Sequence, residues 1–206
     1  ILAEDLYTLD DQGCTMSINA SRVHEFGPAV LSTGGPVSIS YAFDSSAEKL
    51  ITAYRPDGTM VWEYSIPFLR YFPPVAGPDD TVYVAQKVDS AYDTARVLTA
   101  VDKTGQLRYS TTMPGSIVTV VTPGPSGEVY YGYRITDTDT QVRYYSLSRM
   151  GSTGNVEWDA LLLSNPTVTG CTQPAVSPDG VVLMLVSNQL FAVSPARRIS
   201  GRASEW

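Results

Sequence analysis

Three short polar stretches hold the side chains with chemistry to offer: Arg70, Tyr71 and Phe72; Asp89, Tyr92, Asp93 and Arg96; and Asp137 and Asp139. Aromatic faces stack on sugars or peptides, and Asp or Arg hydrogen-bond hydroxyl and carboxylate groups, so these residue types suit a binding rim. Acid/base hydrolysis of a glycoside would require two of the four aspartates to stand roughly 5 to 10 Å apart. The competing reading is a set of solvated loops. His24, flanked by Arg22 and Glu25, is the sole histidine, which leaves at most one centre for a Ser-His-Asp triad or a histidine metal site. Asp137-Thr138-Asp139 has the spacing of a calcium loop but lacks the following Asp/Asn-Gly and the distal Glu. No catalytic residue and no metal ligand is assigned. Asn19-Ala20-Ser21 is a glycosylation sequon, making Asn19 a candidate glycan site.

The elements that must position these residues repeat. LYTLDDQGCTMS (6–17), LITAYRPDGTMVW (50–62), VLTAVDKTGQLRY (97–109) and YSLSRMGSTGNVEW (145–158) each join a strand-like run to a polar turn ending in Gly, with a large residue four positions later in most copies. The turn glycines Gly13, Gly58, Gly105 and Gly154 are 45, 47 and 49 residues apart, a period that marks a β-propeller. A second phrase, as in PPVAGPDDTVYVAQ (73–86) and PAVSPDGVVLMLV (174–186), supplies a short strand, a Gly/Pro/Asp turn and a longer apolar strand. One unit then reads as strands A (74–76), B (81–88), C (97–102) and D (106–111), a four-stranded antiparallel blade. Trp62, Tyr109 and Trp158 fall at one place on the outermost strand, where a ring can wedge between blades; Ser17 occupies that place in the first unit.

Asp102-Lys103-Thr104-Gly105, with Ala100 before it and Tyr109 after it, resembles the repeat of quinoprotein, or pyrroloquinoline-quinone-like, propellers. Asp10 to Gly13 keeps the Asp-x-x-Gly spacing, the second unit has Asp57 directly before Gly58, and the fourth reads as carrying an insertion between Ser148 and Gly154. The resemblance implies an all-β propeller over residues 1–195. Repeats are expected near 6–44, 49–89, 96–139 and 142–187, with a partial blade at each end and a tail or linker at 196–206. Dehydrogenases of that family use quinone, calcium, a catalytic Asp and often vicinal cysteines. Here Cys14 and Cys171 are not adjacent, so no cofactor is assigned, and whether the parent chain binds quinone or calcium stays open. The family's non-catalytic scaffolds, among them an outer-membrane assembly lipoprotein, are the nearer analogy.

The chain is expected to begin with strands C and D and to end after A, B and C, an open arc of about four to five blades cut from a larger ring. A small five-bladed closed ring is the alternative. Cys14 and Cys171 are placed on opposite faces and are expected not to bond. The net charge of −7 argues against a nucleic-acid partner, and no apolar run is long enough to span a membrane. The expected function is a non-enzymatic interaction or scaffold module in an extracellular or periplasmic (envelope) setting. Its partner would be another protein or the missing blades, with a glycan possible. A carbohydrate-binding or carbohydrate-processing propeller and a segment of a quinoprotein oxidoreductase are the alternatives.

Overall fold

The computed structural model describes residues 6–9, 15–18, 22–24, 28–42, 48–67, 72–87, 96–117, 119–137, 139–164 and 170–194. Every regular element among them is a strand. Leu6–Leu9 (β1) and Thr15–Ile18 (β2) form a two-stranded sheet. Arg22–His24 (β3), Ala29–Val30 (β4), Pro36–Ala42 (β5), Glu48–Tyr54 (β6) and Met60–Pro67 (β7) form the next. Val75–Ala76 (β8), Val82–Lys87 (β9), Arg96–Val101 (β10) and Leu107–Met113 (β11) follow as the third. Ser116–Ile117 (β12), Thr122–Pro123 (β13), Val129–Thr136 (β14), Arg143–Met150 (β15) and Val156–Ser164 (β16) make the fourth. Ala175–Val176 (β17), Val182–Val186 (β18) and Gln189–Val193 (β19) make the last. All pairings are antiparallel and each sheet is built from consecutive stretches of chain, so the sheets are the successive blades of an open β-propeller.

Strand A is longer than the sequence suggests and is broken in two. β3 and β4 both pair with β5, and β12 and β13 both pair with β14. Arg22 and His24, expected in a rim loop, therefore lie in a strand, opposite Ala42 and Ser40. Phe72 extends the third blade in the same way, donating its backbone N–H to Ala85 O. Cys171 does so in the last blade through a bridge to Val186.

The A–B and C–D turns share one five-residue design. The first N–H donates to the fifth carbonyl, as in Arg55 to Thr59, Asp102 to Gln106, Gly151 to Asn155 and Gly77 to Thr81. The fourth position is left-handed, and Gly58, Gly105 and Gly154 occupy it at φ of 83°, 84° and 84°. The fourth repeat has no insertion: Gly151 stands where the third repeat has Asp102 and the turn keeps its length.

Side-chain alternation then builds the core between blades rather than within them. Val37, Ile39, Ile51 and Ala53 of the second blade meet Val82 and Val84 of the third. Tyr83, Ala85, Leu98 and Ala100, the opposite face of that third blade, meet Val129 and Tyr131 of the fourth. Tyr130 and Leu147 on the other side of the fourth meet Val182 and Met184 of the last. Each inner strand is thus buried on both faces, one parity to each neighbour. Strand C carries a buried hydroxyl at one repeated register position: Thr52, Thr99 and Ser148. Thr99 Oγ1 accepts from Gln86 Nε2 at 2.8 Å, and Ser148 Oγ donates to Trp158 O.

The interblade tyrosines make the fold sensitive to base. Burial pushes the Tyr83 and Tyr131 phenols up to about 12. Both states keep these protons below the unfolded value near 10, whereas only the folded state keeps them between about 10 and 12, so stability is lost as pH rises through that window. Denaturant midpoints at about pH 9 and about pH 11.5 should differ markedly. Tyr83→Phe should flatten part of the difference, and an unchanged profile would contradict the burial.

Candidate functional site

Propeller connections divide between two ends of the blades, with A–B and C–D turns at one and B–C and D–A links at the other. Of the expected rim residues, Arg70, Tyr71, Asp89, Tyr92 and Asp93 lie outside the described residues, as do Asn19 and Cys14. Phe72 is half-buried and packs against the cluster between the third and fourth blades. Arg96 opens β10, opposite Lys87 and Met113, and is half-buried. Asp137 and Asp139 come together in the β14–β15 turn, where Asp137 Oδ1 accepts from the N–H groups of Asp139 and Thr140, both at 2.9 Å. The Thr140 and Asp139 amides hold the Asp137 carboxyl below the usual carboxylate range. One face of this carboxylate is committed to its own turn, whereas the Asp139 side chain is exposed.

The opposite end carries an open polar groove of about 370 Å³, lined by Asp79, Thr81, Asp102, Lys103, Thr104 and Arg108. Arg108 Nη1 donates to Asp79 Oδ2 at 2.6 Å and to Thr81 Oγ1 at 2.7 Å. Asp102 Oδ1 accepts from the Thr104 amide and hydroxyl and from the Gln106 amide. Partial burial opposes the Asp79 charge, but the Thr81 hydroxyl and amide and then Arg108 outweigh it and hold the carboxyl below its usual range. The Thr104 hydroxyl is the main cause of the same effect at Asp102. These groups fasten turns. The sequence marks Asp79 and Asp102 as turn residues but gives no local sign of a pairing between Asp79 and Arg108, 29 positions apart.

Further bonds of this kind tie blade to blade. Asp80 accepts from both the amide and the hydroxyl of Ser32, each at 2.6 Å. Tyr83 Oη donates to Gly127 O at 3.1 Å, and Thr122 Oγ1 donates to Pro174 O at 2.6 Å. Trp62 Nε1 donates to Lys103 O at 3.0 Å, which seats its ring on the C–D turn of the next blade. Tyr109 sits likewise against Gly154. Trp158 is half-buried, with its ring centroid 6.2 Å from that of Tyr130. Cys171 is a free thiol that burial pushes up to about 11, so it stays protonated and poorly nucleophilic at neutral pH.

Blades locked by turn-seated aromatics and polar latches, with a turn glycine recurring in each, define a β-propeller of the quinoprotein-like repeat class. Within that class the chain belongs to the family described as outer membrane protein assembly factor BamB, which matches residues 47–199. No curated protein matches the chain. Similar solved structures include a protein of unknown function from Bacteroides caccae, at 13% identity over 89% of this chain and 65% of that one, with a TM-score of 0.48. A Synechocystis apocarotenoid oxygenase variant is similar at 11% identity over 92% of this chain and 57% of that one, with a TM-score of 0.50. The cobalt-substituted form of that oxygenase is similar at 11% identity, 91% and 55% coverage, and a TM-score of 0.50. The chain therefore spans less than two thirds of these structures, and at such identity the oxygenase likeness speaks for the fold alone.

The quinoprotein relationship raises quinone and calcium. Among the described residues no group of three or more His, Cys, Asp or Glu side chains is placed to hold a metal ion. Cys171 has no vicinal cysteine.

Proposed function

We propose that this chain is a non-enzymatic scaffold whose B–C and D–A rim receives a protein partner within an envelope or extracellular assembly. Membership of a family described as an outer membrane assembly factor carries this reading. The polar chemistry supports it, because the Asp, Arg and Thr groups of the C–D end are engaged in holding turns and blades. Rigid blades let side chains such as the exposed Asp139 be presented at little ordering cost. No helix among the described residues is long and apolar enough to cross a membrane.

Site-specific photo-crosslinking in the native organism tests the reading. Probes at Asp139 and Thr140 are expected to give a discrete protein adduct, and probes at Lys103 and Thr153, on the opposite end, are expected to give none. Equal adducts from both ends, or none from the rim, would overturn it.

A further inference from the structure

Arg108 and Arg149 each meet a carboxylate, Asp79 at 2.6 Å for the first and Glu157 at 3.2 Å for the second. Arg134 meets none. It lies near the rim end of β14, half-buried, and its Nε is closed off from solvent with no hydrogen-bond partner. No ion pair joins its guanidinium to any of the described residues. Strand parity aims the side chain at the last blade. Tyr130 packs against Val182 and Met184, and a Cβ on Gly132 would meet Met184 Cε, so position 134 faces the same seam. Cys171 stands close by, since burial raises that thiol and the Arg134 charge works against the rise. Arg143 adds a second positive charge to this face of the fourth blade, two positions before Tyr145, the cross-strand partner of Arg134. The last blade brings no counter-charge: the sequence holds no Asp or Glu between Asp159 and Asp179 or between Asp179 and Glu205, and Asp179 belongs to the β17–β18 turn at the opposite end. In the fourth blade's own rim turn, Asp137 Oδ1 is taken by the Asp139 and Thr140 amides, and Asp139 is exposed.

We propose that Arg134 anchors a carboxylate-binding site at the rim end of the seam between the fourth and last blades, filled by an Asp or Glu side chain of the protein partner. The site rests on the rim reading above and adds the chemistry by which that partner is recognised. A partly buried charge with no counter-ion is costly, and a carboxylate offsets the cost by accepting two parallel N–H bonds from the guanidinium fork. The source of the carboxylate follows from the surrounding charge. Asp137 and Asp139 in the adjoining turn, on a chain of net charge −7, repel a phosphate or a polyanion more strongly than a single carboxylate. A carboxylate carried by a docked protein is also delivered at a high effective concentration, which a free anion lacks.

The test measures the yield of the Asp139 photo-cross-link, in the native organism and the full polypeptide, with Arg134 varied. Arg134→Gln should lower the yield of the protein adduct by about ten- to a hundredfold, the worth of a charge-assisted hydrogen bond, and Arg134→Lys should restore part of it. Arg55→Gln removes the same charge from the exposed C–D end and should change nothing. The partner peptide in the adduct should contain Asp or Glu. An adduct that survives Arg134→Gln overturns the proposal and leaves the rim reading standing, whereas no adduct from the unsubstituted chain removes the rim reading and this site with it. An equal loss in Arg55→Gln, or a partner peptide without a carboxylate side chain, also overturns the proposal. A second measurement needs no variant: in the purified full-length protein, sodium acetate should shift the Arg134 Nε–Hε NMR signal in a saturable way. Inorganic phosphate should act more weakly. A stronger response to phosphate would make the site one for a free anion, and no response to acetate would mean that Arg134 takes no carboxylate; either overturns the proposal.

Discussion

Replacing Trp62 with alanine should lower the unfolding free energy by about 3 to 5 kcal/mol, the range for removing a buried large aromatic side chain. Trp62 is buried between the second and third blades, among Val37, Ile66 and Val101. Its indole N–H also anchors the Lys103 carbonyl. Alanine leaves a cavity at the seam and strands that carbonyl, two costs that fall on the same interface. Trp62→Phe keeps most of the buried area and should cost clearly less. Urea denaturation followed by far-UV circular dichroism checks both variants. A loss below about 1 kcal/mol for Trp62→Ala would mean that the seam does not depend on this ring.

Gly105→Ala has the second large expected effect, for two separable reasons. The backbone there is left-handed, at φ of 84°, which costs an L-residue roughly 1 to 2 kcal/mol. In addition, a Cβ at this position would lie 2.8 Å from Trp62 Cβ and 2.9 Å from Trp62 Cγ. Overpacking of that sort typically adds about 1 to 3 kcal/mol. Gly34→Ala isolates the first cause, since Gly34 has φ of 82° but its nearest neighbour, Pro56 Cγ, would be 3.7 Å away. Gly105→Ala should therefore be the more damaging of the two in the same denaturation assay. Equal losses would show that only the backbone matters. Gly154, whose Cβ would lie 2.6 Å from Tyr109 Cδ2, should behave like Gly105.

The recurrence of Gly58, Gly105 and Gly154 with a ring four positions later made the blades readable from sequence, because turn conformation and interblade wedging both act on local residue types. The same reading assigned the glycines to turn conformation alone. That Gly105 and Gly154 also receive the previous blade's ring, Trp62 and Tyr109, is a contact across roughly 45 residues with no local sign. The apparent insertion before Gly154 arose because Gly151 replaces the Asp that marks the third turn, while the backbone hydrogen bonds that fix turn length do not depend on that side chain. Strand β3 was missed because three residues carrying Arg and His have little strand character of their own and extend only by pairing with β5. At the rim, the sequence places Asp137 and Asp139 in one polar loop, and the structure adds that Asp137 caps the amides two and three residues on. The Ser32 to Asp80 and Arg108 to Asp79 bonds were not legible, since sequence spacing alone does not bring those partners together.

The central claim is that an interblade aromatic seats on the turn glycine of the next blade, as Trp62 does on Gly105 and Tyr109 on Gly154, and a double-mutant cycle on Trp62 and Gly105 tests it most directly. If the claim holds, Gly105→Ala loses its steric cost once the ring is gone. In the Trp62→Ala background it should then cost only about what Gly34→Ala costs, a coupling of roughly 1 to 3 kcal/mol. Additivity of the two substitutions to within about 0.5 kcal/mol would contradict the account.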